Sequence, residues 1–145
     1  MELLTGVGGA RPSPETLAQT DPALAEVLVP LLCKLGADVN GPLRNGKTPM
    51  HAAAMLYDGK SLVYALLDCG AEIREADPAN PYVLTPVEIA AKRANISVLQ
   101  ALLLAGGRST ARAVVLAEGF AALTRIERMR AAACVRMLVA HSLVS

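Results

Sequence analysis

The chain has 145 residues, 53% of them apolar, which is enough for one domain with a buried core. Its 14 Lys and Arg nearly balance its 13 Asp and Glu, and this argues against a nucleic-acid partner, because binding a phosphate backbone usually requires a clear basic excess. Aromatic residues make up only 3% of a chain rich in Ala and Leu, a composition that favours closely packed helices over a β-sandwich.

Residues 1–12 contain neither a basic start nor an apolar run of signal-peptide length, so we expect a flexible leader and no secretion. No stretch reaches the roughly 18 to 20 apolar residues of a membrane-spanning helix, so no membrane partner is expected. Cys33, Cys69 and Cys134 have no CxxC spacing and no nearby His cluster. We therefore expect three small buried thiols in a reducing compartment, with no disulfide framework and no metal site.

Three segments share one apolar pattern that ends in a glycine: Leu28–Ala37, Leu62–Ala71 and Val98–Gly107. In each, apolar residues lie eight, seven, four and three places before Gly36, Gly70 or Gly106, and these glycines are 34 and 36 residues apart. The spacing follows one face of a helix, and glycine tolerates a positive φ. Each segment is therefore predicted to be a core-facing helix closed by a glycine turn. A fourth copy, Cys134–Ser142, has Ser142 in the glycine place.

A second pair of matching segments precedes two of these helices. Gly46–Ala54 and Leu84–Ala91 both contain Thr-Pro followed by small residues. A Thr cap with Pro in the first helical position predicts a helix start, and small residues let a neighbouring helix approach closely. Two antiparallel helices per unit follow. In the fourth copy, Ala121–Thr124 takes the Thr-Pro place, so we expect its first helix to begin irregularly there.

The Gly-x-Thr-Pro-x-His-x-Ala-Ala stretch at Gly46–Ala54 and the Gly-Ala-Asp-Val-Asn ending at Gly36–Asn40 resemble the ankyrin repeat family. The resemblance implies an all-α ankyrin-repeat solenoid of stacked antiparallel helix pairs with β-turn finger connections. After the leader, the repeat domain is expected to span residues 13–145. Its repeats would cover about 13–40, 41–77, 78–110 and 111–145.

What the resemblance implies about function is a non-enzymatic module that binds another protein as an adaptor, scaffold or inhibitor. It implies no catalytic residues, no cofactor and no metal, and a cytoplasmic or nuclear monomer or member of a hetero-complex. In this family the finger tips and the exposed faces of the first helices contact partners. The corresponding finger positions are Arg44, Asn45, Lys47, Asp77 and Tyr82, and the helix positions are Met55, Leu56, Tyr57, Lys92 and Arg93.

One alternative is a small nucleotide-binding protein, because Gly41-Pro-Leu-Arg-Asn-Gly46-Lys47-Thr48 satisfies the phosphate-loop pattern GxxxxGK[ST]. In that fold, backbone amides wrap a phosphate, Lys47 reaches the outer phosphates and Thr48 holds a magnesium ion. The motif should follow a buried β-strand, whereas the segment from Leu28 to Leu35 has helical spacing. The context therefore favours the repeat interpretation.

Two narrower hypotheses follow from the resemblance. The chain length and Gly70-Ala-Glu followed by Ala76–Ala79 are similar to the cyclin-dependent-kinase inhibitor group of ankyrin proteins. Asn40 lies in a segment similar to the site that asparaginyl hydroxylase modifies in some ankyrin proteins, although a turn role explains it equally well. A further alternative is a piece of a longer repeat protein, since the chain stops three residues after Ser142.

Overall fold

The computed structural model describes residues 12–43, 47–73, 82–119 and 124–144. These ranges contain α-helices, turns and connections and no β-strand, so the predicted all-α class is confirmed. The chain forms two compact units, Met1–Glu72 and Ile73–Ser145. Each unit buries an apolar core between its own helices, as repeat architectures built from helix pairs require.

The helices of the first unit are α1 (Pro14–Ala18), α2 (Ala25–Lys34), α3 (Pro49–Met55) and α4 (Lys60–Asp68), with a short 3-10 turn at Pro22–Leu24. Helix α3 packs on α1 and α4, and α2 packs on α4. Leu17, Val29, Met50, Leu62 and Leu66 are fully buried in this core. Leu62 and Leu66 are one helical turn apart, which is why the apolar spacing of the sequence identified the buried face of α4.

The helices of the second unit are α5 (Pro86–Lys92), α6 (Ile96–Leu104), α7 (Ala111–Glu118) and α8 (Arg125–Val144). Helix α5 packs on α6 and α7, and α8 packs on α6 and α7. Val87, Leu99, Leu102, Cys134 and Leu138 are buried. The side chains of Cys134 and Leu138 lie one turn apart on α8 and anchor that helix in the unit.

The three predicted glycine turns are confirmed, with φ angles of 100° at Gly36, 92° at Gly70 and 103° at Gly106. Each closes its helix with the same pair of hydrogen bonds. After α2, for example, the Gly36 amide donates to the Cys33 carbonyl at 3.0 Å and the Ala37 amide to the Leu32 carbonyl at 3.1 Å. This is the two-bond closure that satisfies the last carbonyls of a helix when the next residue adopts a positive φ.

The two predicted Thr-Pro helix starts are also confirmed. Thr48 and Thr85 precede α3 and α5, with Pro49 and Pro86 as first helical residues. At the first start, the ring atom Nδ1 of His51 lies 3.1 Å from the Thr48 amide nitrogen and 2.8 Å from the Thr48 hydroxyl oxygen. His51 therefore closes the cap of its own helix, and it is buried.

The expected register of the fourth helix pair is wrong. Its first helix is α7, which begins at Ala111, and residues 125–144 form a single helix in which Ser142 makes no turn. The reason is the length of the connection: Thr110 follows Gly106 by only four residues, whereas Thr48 follows Gly36 by twelve. With no long finger here, the helix pair starts earlier than a constant repeat period predicts.

The expectation for the cysteines holds only in part. Cys134 is fully buried, whereas Cys33 and Cys69 are half-buried. Burial raises the pKa of the Cys33 thiol to about 12, and a hydrogen bond with the Cys69 thiol contributes to that shift. The packing of α2 on α4 thus brings together two cysteines that are 36 residues apart in the sequence.

Candidate functional site

In the first unit, three candidate partner-binding residues, Met55, Leu56 and Tyr57, lie at the junction between α3 and α4. Helix α3 ends at Met55, and the chain turns over Leu56–Gly59 before α4. Met55 is 41% exposed and Tyr57 is 67% exposed, whereas Leu56 is half-buried. The prediction that all three lie on the first helix is therefore wrong for Leu56 and Tyr57, which belong to the turn. Lys47 lies just before the cap of α3 and is half-buried.

In the second unit, Lys92 is the last residue of α5 and Arg93 is its C-terminal cap residue, so Arg93 lies just beyond the helix on which it was predicted. Both side chains are exposed. Ala94, which follows, has a positive φ of 51° and turns the chain into α6. The two cations therefore project from the end of the helix, and Tyr82, in the turn before α5, is 95% exposed.

Three of the predicted contact residues, Arg44, Asn45 and Asp77, lie outside the described residues, as does the Ala76–Ala79 segment. The candidate site is therefore two groups of described residues. The first is Lys47, Met55, Leu56 and Tyr57 in one unit, and the second is Tyr82, Lys92 and Arg93 in the other.

The side chain of Asn40 joins two successive turns of the first unit. Its amide nitrogen Nδ2 donates to the Gly70 carbonyl at 3.2 Å, and its oxygen Oδ1 accepts from the Glu72 amide at 2.8 Å. The backbone amide of Asn40 donates in turn to a carboxylate oxygen of Asp38 at 2.9 Å. Both ends of the Asn40 amide are thus used by backbone groups, which supports the turn role considered from the sequence.

An ion pair between a buried carboxylate and a half-buried arginine organises the start of α5. Glu88 is 1% exposed, and its oxygen Oε1 accepts from the Thr85 amide at 2.9 Å, so that it closes the helix cap. Arg112 of α7 donates to Oε2 through Nε at 2.7 Å and to Oε1 through Nη2 at 2.8 Å. The hydroxyl of Thr110 donates to Oε2 at 3.0 Å. This fork geometry is the strong form of an arginine–carboxylate pair.

The surroundings of Glu88 set its ionisation. Burial alone would raise the pKa of this carboxyl, but the hydrogen bonds from Arg112, Thr85 and Thr110 outweigh burial and lower the pKa to about 2. Glu88 therefore stays ionised at neutral pH, as a structural anion with all its acceptor capacity engaged. This arrangement suits a helix-to-helix brace better than an acid or base in catalysis, which needs a pKa near the working pH.

The sequence contained a signal for this brace that the motif comparison did not use. Glu88 takes the place in its Thr-Pro segment that His51 has in the other, and a buried carboxylate requires a cation nearby. A similar signal marks the start of α8. The Glu127 amide donates to the Thr124 hydroxyl at 3.1 Å, and the Thr124 amide donates to Glu127 Oε2 at 2.9 Å. Thr-x-x-Glu is the sequence pattern of such a reciprocal cap.

The phosphate-loop alternative does not fit the local structure. The element that precedes Gly41 is the helix α2 rather than a β-strand. The Thr48 hydroxyl, which would have to hold a magnesium ion, is buried against His51 at the cap of α3. The segment that satisfies the phosphate-loop pattern thus follows a helix. It lacks the preceding β-strand that a phosphate loop requires.

Two searches bear on other kinds of site. In the part of the chain that the structure describes, no three His, Cys, Asp or Glu residues are grouped so that they could hold a metal ion. Within the same residues no helix is both long and apolar enough to cross a membrane. Helix α8 has 20 residues, but five of them are charged.

Comparison with models of known protein families gives a match for one segment of the chain. A family model described as ankyrin repeat matches residues 45–78. The matched segment contains α3, α4 and the glycine turn at Gly70, and it includes Met55 and Tyr57 of the candidate site. No curated protein matches the chain.

Proposed function

We propose that this chain, in which residues 45–78 match the ankyrin repeat model, binds another protein without chemistry of its own. It would act as an adaptor, scaffold or inhibitor. The contacts would be made by Lys47, Met55, Leu56 and Tyr57 of the first unit and by Tyr82, Lys92 and Arg93 of the second. Arg44, Asn45 and Asp77 are proposed to add to these contacts on sequence grounds.

The observation that carries the proposal is the exposure of Tyr57 and Met55 beside a well-packed repeat. Tyr57 exposes 67% and Met55 41% of its surface, although the residues just before them, Ala53 and Ala54, are fully buried. Both side chains therefore offer a large part of their surface to a partner. Tyrosine is enriched among the residues that dominate binding energy at protein interfaces, and methionine adapts to irregular apolar partners.

The second group adds charge to this chemistry. Lys92 and Arg93 are both exposed at the end of α5, and Tyr82 is almost fully exposed. A partner that contacts this group would present acidic groups to the two cations and an apolar surface to the tyrosine ring.

The experiment is affinity capture from cell extract followed by quantitative mass spectrometry, with the whole chain as bait. We expect Tyr57→Ala to lower the recovery of specific partners about tenfold, a typical loss for a central interface tyrosine. Tyr64→Ala is the matched control, because Tyr64 is 40% exposed on α4 and lies outside the proposed surface.

The proposed contacts would be contradicted if Tyr57→Ala and Tyr82→Ala recovered a partner as well as the wild-type chain does. Equal loss with Tyr64→Ala would also contradict them, since that result would point to a general loss of structure. Circular dichroism of each variant confirms that the helices are intact before the capture is interpreted.

Several finer points of the proposal have their own tests. We expect the protein to be a monomer or a member of a hetero-complex, and analytical sedimentation measures this. We expect it in the cytoplasm or the nucleus, which microscopy of the tagged chain determines. A captured cyclin-dependent kinase would support the inhibitor-like alternative. Modification of Asn40 is tested by mass spectrometry of the chain from cells that contain the hydroxylase, where only unmodified Asn40 would remove the idea.

A further inference from the structure

The last two helices of the second unit, α7 and α8, line a recess of about 550 Å³. Its apolar lining comes from Ala117 on α7 and from Ala131, Ala132 and Val135 on α8. These are small side chains, so the recess offers space beside the helix backbone rather than a filled surface. It contains none of the residues proposed above for partner binding.

Two arginines, Arg128 and Arg136, line the same recess. Along α8 they stand on either side of Ala131, Ala132 and Val135, and the intervals of three and four residues place all five on one face of the helix. Because an α-helix rises 1.5 Å per residue, the eight-residue interval between the arginines corresponds to about 12 Å, or two turns.

The charge of this region is one-sided. Residues 125–145 contain four arginines and a single acidic residue, Glu127. Arg128 and Arg136 are exposed, and neither makes an ion pair with another described residue. Two unpaired guanidinium groups at the ends of an apolar strip favour a ligand with two anionic groups and an apolar centre.

We propose that this recess binds an acidic amphipathic helix of a partner protein. Two carboxylates of that helix, seven or eight residues apart, would pair with Arg128 and Arg136. The apolar residues between them would lie on Ala131, Ala132 and Val135. Seven residues of a helix span about 10.5 Å, so the carboxylates of such a helix match the interval between the arginines.

The apolar lining distinguishes this ligand from a nucleic acid. A phosphate backbone is bound through charge and hydrogen bonds to its oxygens and gains little from covering Ala132 or Val135, whereas an amphipathic helix buries apolar side chains there. Glu118, at the end of α7, also lines the recess and would repel an acidic ligand that approached that side. Removing the negative charge of Glu118 should therefore strengthen binding of an acidic ligand, whereas removing the arginine charges should weaken it.

The probe is a fluorescent 16-residue helical peptide with Glu at two positions seven residues apart and Leu on the same face between them. Binding to the whole chain is measured by fluorescence anisotropy at low and at physiological salt. A peptide of the same composition in scrambled order is the reference. We expect the ordered peptide to bind at least about tenfold more tightly than the scrambled one.

Charge reversal identifies the site. We expect the double variant Arg128→Glu, Arg136→Glu to weaken binding of the acidic peptide about tenfold and to bind a matched peptide with Lys in place of Glu. Glu118→Gln should strengthen binding of the acidic peptide a few-fold. Arg125→Glu is the matched control, because Arg125 is exposed on the same helix and does not line the recess.

Two results would overturn the proposal. One is unchanged binding of the acidic peptide by the double variant, with circular dichroism confirming its helices. The other is equal affinity of the wild-type chain for the ordered peptide and for either the scrambled peptide or a single-stranded oligonucleotide of equal charge. The second result would show that the arginines attract any polyanion.

Discussion

Arg112 and Glu88 lie 24 residues apart in the sequence, and the Arg112 guanidinium donates hydrogen bonds to both carboxylate oxygens of Glu88, at 2.7 and 2.8 Å. The contact joins the first turn of α7 to the first turn of α5. Because Glu88 also caps α5 through the Thr85 amide, one side chain fixes both a helix start and the place of the next helix. The consequences for stability can be measured.

The first prediction concerns acid stability. The folded state holds the pKa of Glu88 at about 2, below its ordinary value of 4.5. The stabilisation from this lowered pKa is therefore complete above about pH 4.5 and is lost as the pH falls towards 2. We expect Glu88→Gln to lower the free energy of unfolding by about 2 kcal/mol at pH 7, and the difference from wild type to shrink as the pH falls through this window.

Urea unfolding of both proteins between pH 7 and pH 2 measures this difference. Glu26→Gln is the control, because Glu26 is exposed on α2 and should change the free energy of unfolding little. A wild-type advantage over Glu88→Gln that stays constant down to pH 2 would refute the assigned role of the ion pair.

The second prediction compares two glycines. A Cβ at Gly59 would collide with the Ala53 carbonyl oxygen, whereas a Cβ at Gly70 meets nothing within 4 Å but would stand on a residue with φ of 92°. We expect Gly59→Ala to cost about 2 to 3 kcal/mol by forcing backbone to move, and Gly70→Ala about 1 kcal/mol from the positive φ. Thermal unfolding gives the order of the two.

Gly119→Ala serves as a reference for this pair, since the nearest atom that an added Cβ there would meet, outside the adjoining residues, is the Val115 carbonyl oxygen at 3.3 Å. If Gly70→Ala lowered the melting temperature more than Gly59→Ala, steric exclusion at the α3–α4 junction would not be the larger effect.

The third prediction concerns Asn40, whose side-chain amide bonds to backbone groups of Gly70 and Glu72. We expect Asn40→Ala to destabilise the protein by about 1 kcal/mol, since two partly exposed hydrogen bonds are lost. Asn40→Asp keeps the acceptor for the Glu72 amide but loses the donor to the Gly70 carbonyl. Hydrogen exchange at the Glu72 amide should therefore accelerate more in Asn40→Ala than in Asn40→Asp, and equal exchange in both would contradict this bond.

The fourth prediction concerns thiol reactivity. Burial raises the pKa of Cys134 to about 11, and burial together with Cys69 raises that of Cys33 to about 12. Because the thiolate is the reactive form, both should react with iodoacetamide at pH 7.5 far more slowly in the native chain than in urea. Mass spectrometry of the labelled peptides measures the rates. A native rate at Cys33 close to its rate in urea would show that its thiol is not held in the folded protein as described.

Much of the first three helix pairs could be predicted from the sequence, because their turns depend on single residues with special backbone chemistry. Gly36, Gly70 and Gly106 mark helix ends, and Thr48 and Thr85 mark helix starts. The fourth pair could not be placed, since the short connection between Gly106 and Thr110 broke the period on which the alignment relied. Local caps at Thr110 and Thr124 would have located it better.

The contact surfaces were harder to predict than the helices. Exposure at Tyr57 depends on where α3 ends, and a shift of two residues moves that side chain from a helix face into a turn. The pairing of Glu88 with Arg112 depends on packing between helices distant in sequence, which the apolar pattern does not encode. The recess beside α8 arises from small residues whose sequence pattern resembles that of any buried helix.

The shared geometry of the turns after α4 and α6 has a practical consequence. In both turns the glycine amide donates to the carbonyl of the residue three places before the glycine. The amide of the residue after the glycine donates to the carbonyl five places before that residue. The stretches Leu66–Ala71 and Leu102–Gly107 therefore have corresponding backbone hydrogen bonds. We expect a chimera with Leu102–Gly107 in place of Leu66–Ala71 to keep the backbone conformation of the turn. Such an exchange would change the side chains around the turn without requiring a new loop.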